Sequence, residues 1–303
     1  MQKVILALLL PFAAGIAPAQ KQPERPAITG IAFVRMYASN MPASEDFYGK
    51  TLGYDRTTRD GILTYLVSDS QSLELIPPPN EIQSQQPLPR IAAIGFTTRN
   101  ARALEKYLEA HSVKIDQPLR HGSFAVRDPE GHLVYFVQQR AASAKVISPR
   151  AASHRIIHTG FMVHDRTAED AFWRGILGFR PYWYGGRKQG EIDYVSSQVP
   201  DGTDWIEYMM RPADAPAPSA HQLGSDFHFS LGVAHMPDAV AALARNHCEG
   251  PNCTKTQTGR DGKVQLNLFD PDLTRVEFME FKPSGTTCCS AFTGKHPSEI
   301  EDR

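Results

Sequence analysis

Phe47-Tyr48-Gly49-Lys50-Thr51-Leu52-Gly53-Tyr54 and Phe172-Trp173-Arg174-Gly175-Ile176-Leu177-Gly178-Phe179 are two copies of one pattern, 125 positions apart. An internal repeat constrains a fold strongly, because each copy must bury its apolar face against a neighbour built the same way. Each copy follows an alternating apolar run, Ile31 to Tyr37 and Ile156 to Val163, and precedes aromatic and β-branched stretches. Further on, Asp128-Pro129-Glu130 and Asp270-Pro271-Asp272 each form a turn that feeds a strand, the first Leu133-Val134-Tyr135-Phe136 and the second Arg275-Val276-Glu277-Phe278.

The gaps between these blocks carry two helical patterns. Ala101 to His111 follows Asn100, an N-cap type, and places Leu104, Tyr107 and Leu108 on one face. Pro237 to His247 has Pro near its start and Val240, Leu243 and Ala244 in helical register. A strand precedes each, Ile91 to Phe96 and Phe227 to Val233. The chain therefore predicts four βαβββ units, near residues 28–78, 88–139, 155–212 and 225–282. The Ala/Ser-rich segment 141–153, with Pro149, reads as a linker between an N-terminal domain (28–140) and a C-terminal one (154–282).

The ends read differently. Met1-Gln2-Lys3, an apolar run from Val4 to Ala17 and the small-x-small site Ala17-Pro18-Ala19 predict an export signal over 1–19. The alternative, a buried helix, is disfavoured by Pro11 and Gly15 within the run. No apolar run reaches the roughly 18–20 residues that span a bilayer. A periplasmic or secreted chain beginning near Gln20 is expected. There Cys248, Cys253, Cys288 and Cys289 read as disulfide candidates with three possible connectivities. One or two bridges that pin the polar tail 283–303 are the expectation; a metal site of four thiolates is the alternative, with spacing unsuited to a zinc knuckle.

Composition narrows the partners. With 32 basic and 33 acidic residues the net charge is −1, which disfavours a nucleic-acid partner. Hydrophobic content of 41% against 21% charged excludes disorder for most of the chain. A small-molecule substrate and a monomer or homodimer are expected.

Four βαβββ units, with the aromatic pair and Leu-Gly of two first helices and the two Asp-Pro turns, resemble the vicinal oxygen chelate superfamily. That group includes glyoxalases, bleomycin-resistance proteins and extradiol dioxygenases, and the resemblance covers nearly all of 28–282. It implies an α+β fold, with four modules paired into two glyoxalase-like domains of curved mixed sheet. It also implies metal ligands on the first and last strands of the units. In the C-terminal half those positions carry His158, Glu207, His228 and Glu277. The two histidines are 70 residues apart, as are the two glutamates. A pseudo-twofold axis would bring the four side chains to one point. Two imidazoles and two carboxylates suit one divalent first-row ion, whether Fe, Mn, Ni, Co or Zn. Glu280 has the opposite strand parity to Glu277 and is expected on the other face. His164 and His235 are expected to be exposed at strand ends. In the N-terminal half the corresponding positions read as Phe33, Glu74, Ile91 and Tyr135, and no metal is expected there.

Three functions follow from the resemblance. The first is a metal-dependent lyase or isomerase acting on vicinal oxygens, with Glu207 or Glu277 as the base. The second is an extradiol-type Fe(II) dioxygenase using His158, His228 and Glu277. The third is a non-catalytic ligand-binding protein, which makes the His/Glu set accidental. Tyr182, Trp183, Tyr184 and Trp205 read as pocket lining or, more readily, as core residues. The Gly-rich basic loop 184–190 reads as a hairpin tip or as a lid.

Overall fold

The computed structural model describes residues 24–83, 87–140 and 147–300. The export-signal segment 1–19 lies outside them, as do residues 141–146 of the Ala/Ser-rich stretch. The first sheet holds β1 (Ile28–Tyr37), β2 (Arg56–Arg59), β3 (Ile62–Leu66), β4 (Ser72–Ile76), β5 (Ile91–Thr98), β6 (Ile115–Arg120), β7 (Ser123–Arg127) and β8 (Leu133–Gln138). The second holds β9 (Ile156–Val163), β10 (Arg180–Gly185), β11 (Tyr194–Gln198), β12 (Trp205–Met210), β13 (His228–Val233), β14 (Thr256–Thr258), β15 (Val264–Phe269) and β16 (Arg275–Glu280). Both sheets have eight strands in the same order, β2-β3-β4-β1-β5-β8-β7-β6 and β10-β11-β12-β9-β13-β16-β15-β14. In each, the two module-opening strands pair antiparallel at the centre, and each runs parallel to the last strand of its own module.

Local chemistry explains these elements. β9 is buried along its whole length, as an apolar central strand should be. The helices are α1 (Met41–Asp46), α2 (Asn80–Gln83), α3 (Ala101–Ala110), α4 (Arg166–Asp170), α5 (Ala220–Asp226) and α6 (Met236–Arg245). Asn100 caps α3 by accepting from the Ala103 N–H, and α6 carries Pro at its start. The repeated aromatic-pair segments extend α1 and α4 as short π-helices, Phe47–Thr51 and Ala171–Ile176. Each ends at the Leu-Gly, where Gly53 (φ +82°) and Gly178 (φ +77°) take a left-handed conformation that a side chain would strain. β2 and β14 are fully exposed, and their polar sequences gave no alternating signal.

The Asp-Pro turns join the halves reciprocally. Within the turns, Asp128 and Asp270 accept the N–H groups of His132 and Thr274. Asp270 also accepts from the Tyr48 hydroxyl at 2.8 Å, and Asp272 accepts from the Ser39 N–H at 2.9 Å. In the symmetric place Glu130 accepts from His164 Nδ1 and the Asp165 N–H, both at 2.8 Å, while its own N–H donates to Glu169. Burial and nearby Asp128 push the Glu169 pKa up to about 8, so it holds a proton near neutrality. Trp173 donates to Glu169 at 2.8 Å and packs on Phe96, Phe161 and Phe179, drawing both sheets into one core.

The bridges correct the expectation for the tail. Cys248 pairs with Cys253 and Cys288 with Cys289, and none of the four cysteines is free. Neither bridge ties the tail to the body, and the four-thiolate alternative is not formed. The tail is held instead along the edge strand β10. Thr293 N donates to Tyr182 O, Tyr184 N donates to Ser290 Oγ, and Phe292 packs on Tyr182 at 4.9 Å. A sheet edge covered in this way satisfies backbone groups that would otherwise be open to pairing.

Trp173 is fully buried at the junction of the halves. Trp173→Ala is expected to lower stability by about 3–5 kcal/mol, measured by urea unfolding. A loss under 1 kcal/mol would show that the junction does not depend on this ring.

Candidate metal centre

The site is built by strand register. Across the adjacent strands β12, β9, β13 and β16, one row reads Glu207, Gly160, His228 and Arg275. The other reads Trp205, His158, Ser230 and Glu277. Each histidine thus faces a small residue across the central pairing. A Cβ at position 160 would overlap the His228 ring. His158 Nε2 lies 3.0 Å from His228 Nε2 and 3.2 Å from Glu277 Oε2, and His228 Nε2 lies 3.5 Å from Glu207 Oε2. Ligand-capable atoms of His158, Glu207 and His228 lie within 4.8 Å of one another. The structure thus brings His158, Glu207 and His228 together, with Glu277 joined to them through His158. Both imidazoles and Glu277 are buried, and Glu207 is the most open of the four, its side chain 16% exposed.

The electrostatics are those of a ligand set. Burial, Arg275 and His158 hold the His228 pKa well below its ordinary value, so a neutral nitrogen is presented. Burial acts to raise the Glu277 pKa, but Arg275 and the hydrogen bond with His158 outweigh it, and the carboxylate stays ionised. The His158 Nδ1 is buried with no hydrogen-bond partner among the described residues, whereas the Asp226 backbone lies against the His228 ring. His158 is oriented instead by stacking on Trp205, centroids 4.6 Å apart. On Trp205 also rests Lys263, whose ammonium is 4.3 Å from the ring centre and fully buried. Burial brings the Lys263 pKa down to about 8 against the pull of Asp261, Glu277 and Glu207.

A cavity of about 360 Å3 opens against Glu207 and Glu277. Trp183, Tyr194, Met209 and Met279 give it an apolar wall, and Arg187, Arg260 and Arg275 line it with charge. Of the four aromatics read as core or lining, Trp183 alone lines this cavity, while Tyr182, Tyr184 and Trp205 do not. Tyr182 is buried against the tail, Tyr184 is 44% exposed, and Trp205 lies behind His158 rather than on the cavity. The cause is a register shift between Pro181 and Trp183 in the β10–β11 pairing, which brings Trp183 to the cavity instead. The loop after Tyr184 is the tip of that hairpin, and Arg187 within it reaches the cavity rim. Glu280 accepts from the Met236 N–H at the start of α6, on the other side of the sheet. His164 and His235 have side chains 42% and 62% exposed.

The sequence pointed to Trp183 but missed Tyr194, Arg260 and Asp261 as lining residues. They sit on the hairpins β10–β11 and β14–β15, whose tips carry no periodic signal. Arg275 had a readable one, since strand alternation puts it on the face of Glu277.

The N-terminal half departs from the sequence alignment at one position. Phe33 pairs with Gly95, and Gly95 with Tyr135, so the place of His228 is taken by Ala93 and not by Ile91. The small residues in the two sheets do not coincide, which displaced the alignment by two. The place of Gly160 is taken by Arg35. Its guanidinium binds Glu74 at 2.8 Å and lies over the rings of Phe33 and Tyr135. A fixed cation thus occupies the centre of this half. A larger cavity of about 480 Å3 lies above it; its lining holds one histidine, His121, and Glu74, which Arg35 already engages.

Comparison with known proteins agrees with this architecture. Residues 30–136 match the model of the Glyoxalase/Bleomycin resistance protein/Dioxygenase superfamily. These residues lie in the half that lacks the His/Glu set. A search of curated proteins found no match. Among solved structures, homoprotocatechuate 2,3-dioxygenase from Arthrobacter globiformis is similar at TM-score 0.61 and 16% identity, over 89% of this chain and 86% of that one. The 2,3-dioxygenase LapB from Pseudomonas sp. KL28 gives 0.63 and 15%, over 91% and 96%. The E323L mutant of homoprotocatechuate 2,3-dioxygenase from Brevibacterium fuscum gives 0.62 and 16%, over 92% and 76%. The chain therefore has the vicinal oxygen chelate fold, four βαβββ modules making two glyoxalase-like sheets.

Two outcomes test the site. The unfolded state protonates His228 below pH 6.5 while the folded state resists, so His228 contributes stability at neutral pH that is lost as pH falls. In metal-free protein the unfolding free energy of wild type relative to His228→Gln, from urea denaturation, should fall between pH 7.5 and 5.5, by up to about 1.4 kcal/mol per pH unit below the ordinary value. A pH-independent difference would show that His228 is not held neutral. Gly160→Ala should keep the sheet, by circular dichroism, while displacing the His228 ring in a crystal structure; an undisturbed ring would show that this glycine is not needed.

Proposed function

We propose that this protein is a metal-dependent enzyme acting on a small substrate through two adjacent oxygens, with extradiol-type ring cleavage as its chemistry. The observation that carries this reading is the convergence of two buried imidazoles and two carboxylates at the wall of one small cavity. The fold likeness to 2,3-dioxygenases, over both halves, supports ring cleavage ahead of the lyase or isomerase reading. So does a ligand set confined to the C-terminal half. The binding-only reading gains less support, because Arg275 and Lys263 compensate only part of the charge of the two converging carboxylates.

The donor set fits a divalent first-row ion, with nitrogen and oxygen ligands whose two negative charges match it. His158, His228 and Glu277 would hold it, with Glu207 as a fourth ligand or as a base. A bound ion of this kind supplies Lewis acidity to two adjacent substrate oxygens. The protein residues do the rest. Glu207, hydrogen-bonded to Ser196 Oγ at 3.3 Å and open to the cavity, is placed to take a proton from a substrate hydroxyl. Trp183, Tyr194, Met209 and Met279 hold an apolar body against the carboxylates and exclude water. The lyase reading keeps one specific support, the symmetric placement of Glu207 and Glu277 across β12–β9–β13–β16.

Elemental analysis should find about one equivalent of Fe, Mn, Ni, Co or Zn per chain, lost in His158→Ala and His228→Ala with the fold intact. Wild type that is metal-free and resists reconstitution would overturn the reading. Oxygen-dependent ring opening of catechols by the iron form would support the dioxygenase, whereas oxygen-independent turnover of a carbonyl substrate would favour the lyase. Glu277→Gln should lower turnover about 100-fold or more with its Tm near wild type; unchanged turnover would remove Glu277 from the site.

Export belongs to the same proposal and is supported by the pattern of residues 1–19. Fractionation should recover a chain beginning near Gln20 outside the cytosol. Full-length chain confined to the cytosol would overturn it.

A further inference from the structure

We infer that the Cys288–Cys289 bridge is a thiol–disulfide exchange site, opened by a dithiol with the help of Arg260, and that its state sets how firmly two hairpins hold the wall of the cavity. The site stands apart from the reaction at the centre, and no step of it needs the metal.

The two bridges of this chain sit in different surroundings. Cys248–Cys253 packs on the hydrophobic core just beyond α6, with Cys253 buried. Cys288–Cys289 lies in the tail, with Cys288 half-buried and Cys289 exposed. An attacking thiolate can therefore reach the Cys289 sulfur. The sulfur that would leave is that of Cys288, to which Arg260 Nη2 donates at 2.8 Å. Arg260 is fixed there by Nε donating to Gly186 O at 2.9 Å, and among the described residues it forms no ion pair with a carboxylate. A guanidinium so placed stabilises a thiolate as it forms, and a better leaving group leaves faster. In the exchange, one thiolate of the dithiol attacks Cys289 Sγ, the S–S bond breaks and Cys288 leaves as a thiolate. The second thiol of the dithiol then displaces Cys289. The chain ends with two thiols and the dithiol with one disulfide, a transfer of two electrons and two protons.

The bridge stands where the hairpins β10–β11 and β14–β15 meet the tail. The Cys288 N–H donates to Arg260 O at 2.8 Å, and Trp183 Nε1 donates to Cys288 O at 3.2 Å. Just past the bridge, Ser290 Oγ accepts from the Tyr184 N–H at 2.9 Å. Trp183 and Arg260 both line the cavity, one from each hairpin. Between these contacts Cys289 has φ +77°, a left-handed backbone that residues with a side chain rarely adopt. The covalent link to its neighbour holds Cys289 in that region, and opening the link frees it to return to an ordinary one. That return turns Ser290 relative to Cys288 and pulls on the hydrogen bonds to Trp183 and Tyr184. The closed bridge thus clamps both hairpins, and the open one releases them.

The test treats the folded full chain with dithiothreitol near neutral pH, traps free thiols with iodoacetamide and maps them by peptide mass spectrometry. Cys288 and Cys289 should be labelled about tenfold faster or more than Cys248 and Cys253. Arg260→Gln should slow that opening about threefold or more, and Arg260→Lys should restore most of the rate. The double variant Cys288→Ser/Cys289→Ser is an open form that needs no dithiol. It should keep the wild-type circular dichroism and exchange amide hydrogens faster in segments 181–187 and 256–262, with β9 and β13 unchanged. Loss of fold in that variant leaves wild type, opened and capped, as the sample for the same measurement. Equal opening rates for the two bridges would overturn the exchange site, as would an opening rate that Arg260→Gln leaves unchanged. Unaltered hydrogen exchange in both hairpins would overturn the coupling to the cavity wall.

Discussion

The antiparallel pairing of β9 with β13 is the constraint on which the candidate centre depends. It sets Gly160 opposite His228 and Ser230 opposite His158, so two imidazoles lean over two small residues and meet at Nε2. The parallel partners β12 and β16 then add one carboxylate on each side in the same rows. No loop is needed to place any of the four groups. All are carried by central strands, which hold side-chain positions more closely than loops do. Bringing two carboxylates and two imidazoles into a buried space is unfavourable without a compensating cation, and Arg275 and Lys263 supply part of that compensation from the protein.

The two halves solve the same geometric problem with different chemistry. Where the C-terminal half leaves a glycine at 160, the N-terminal half places Arg35, and where the one has His158 the other has Phe33. The guanidinium, neutralised by Glu74 and faced by two rings, is an internal cation at the equivalent point. The halves then clasp through their Asp-Pro turns, each docking on the first helical segment of the other. The repeated motif thus serves the junction as much as the domain that contains it, with Tyr48 and Trp173 in matching places.

Much of this was readable from the chain because strands and repeats leave periodic marks. The resemblance pointed to His158, Glu207, His228 and Glu277, whose equal spacings agreed with it, and Glu280 was set apart by parity alone. The reading failed where a register shift or a hairpin tip intervened. Three consecutive aromatics in β10 were equal candidates, and a shift in the strand pairing put Trp183 at the cavity and left Tyr182 and Tyr184 off it. The choice of Ile91 over Ala93 came from matching Gly95 to Gly232, when strand pairing matches it to Ser230. Lys263 lies in a polar stretch that resembles a solvent-facing hairpin, and only the closing of Tyr182, Trp205 and Phe292 over it makes it buried.

What the sequence determined by itself is the modular order, because alternation, capping and turn chemistry act between near neighbours, and through that order the resemblance that singles out the four side chains. The tertiary structure decided which hairpins wall the cavity, which cysteines pair and which cations stand near the carboxylates. Those outcomes depend on strand register and on contacts between segments far apart in the chain, such as Arg260 with Gly186 and Tyr48 with Asp270. Neither register nor distant packing leaves a local periodic trace, so they are settled only when the sheets close on one another.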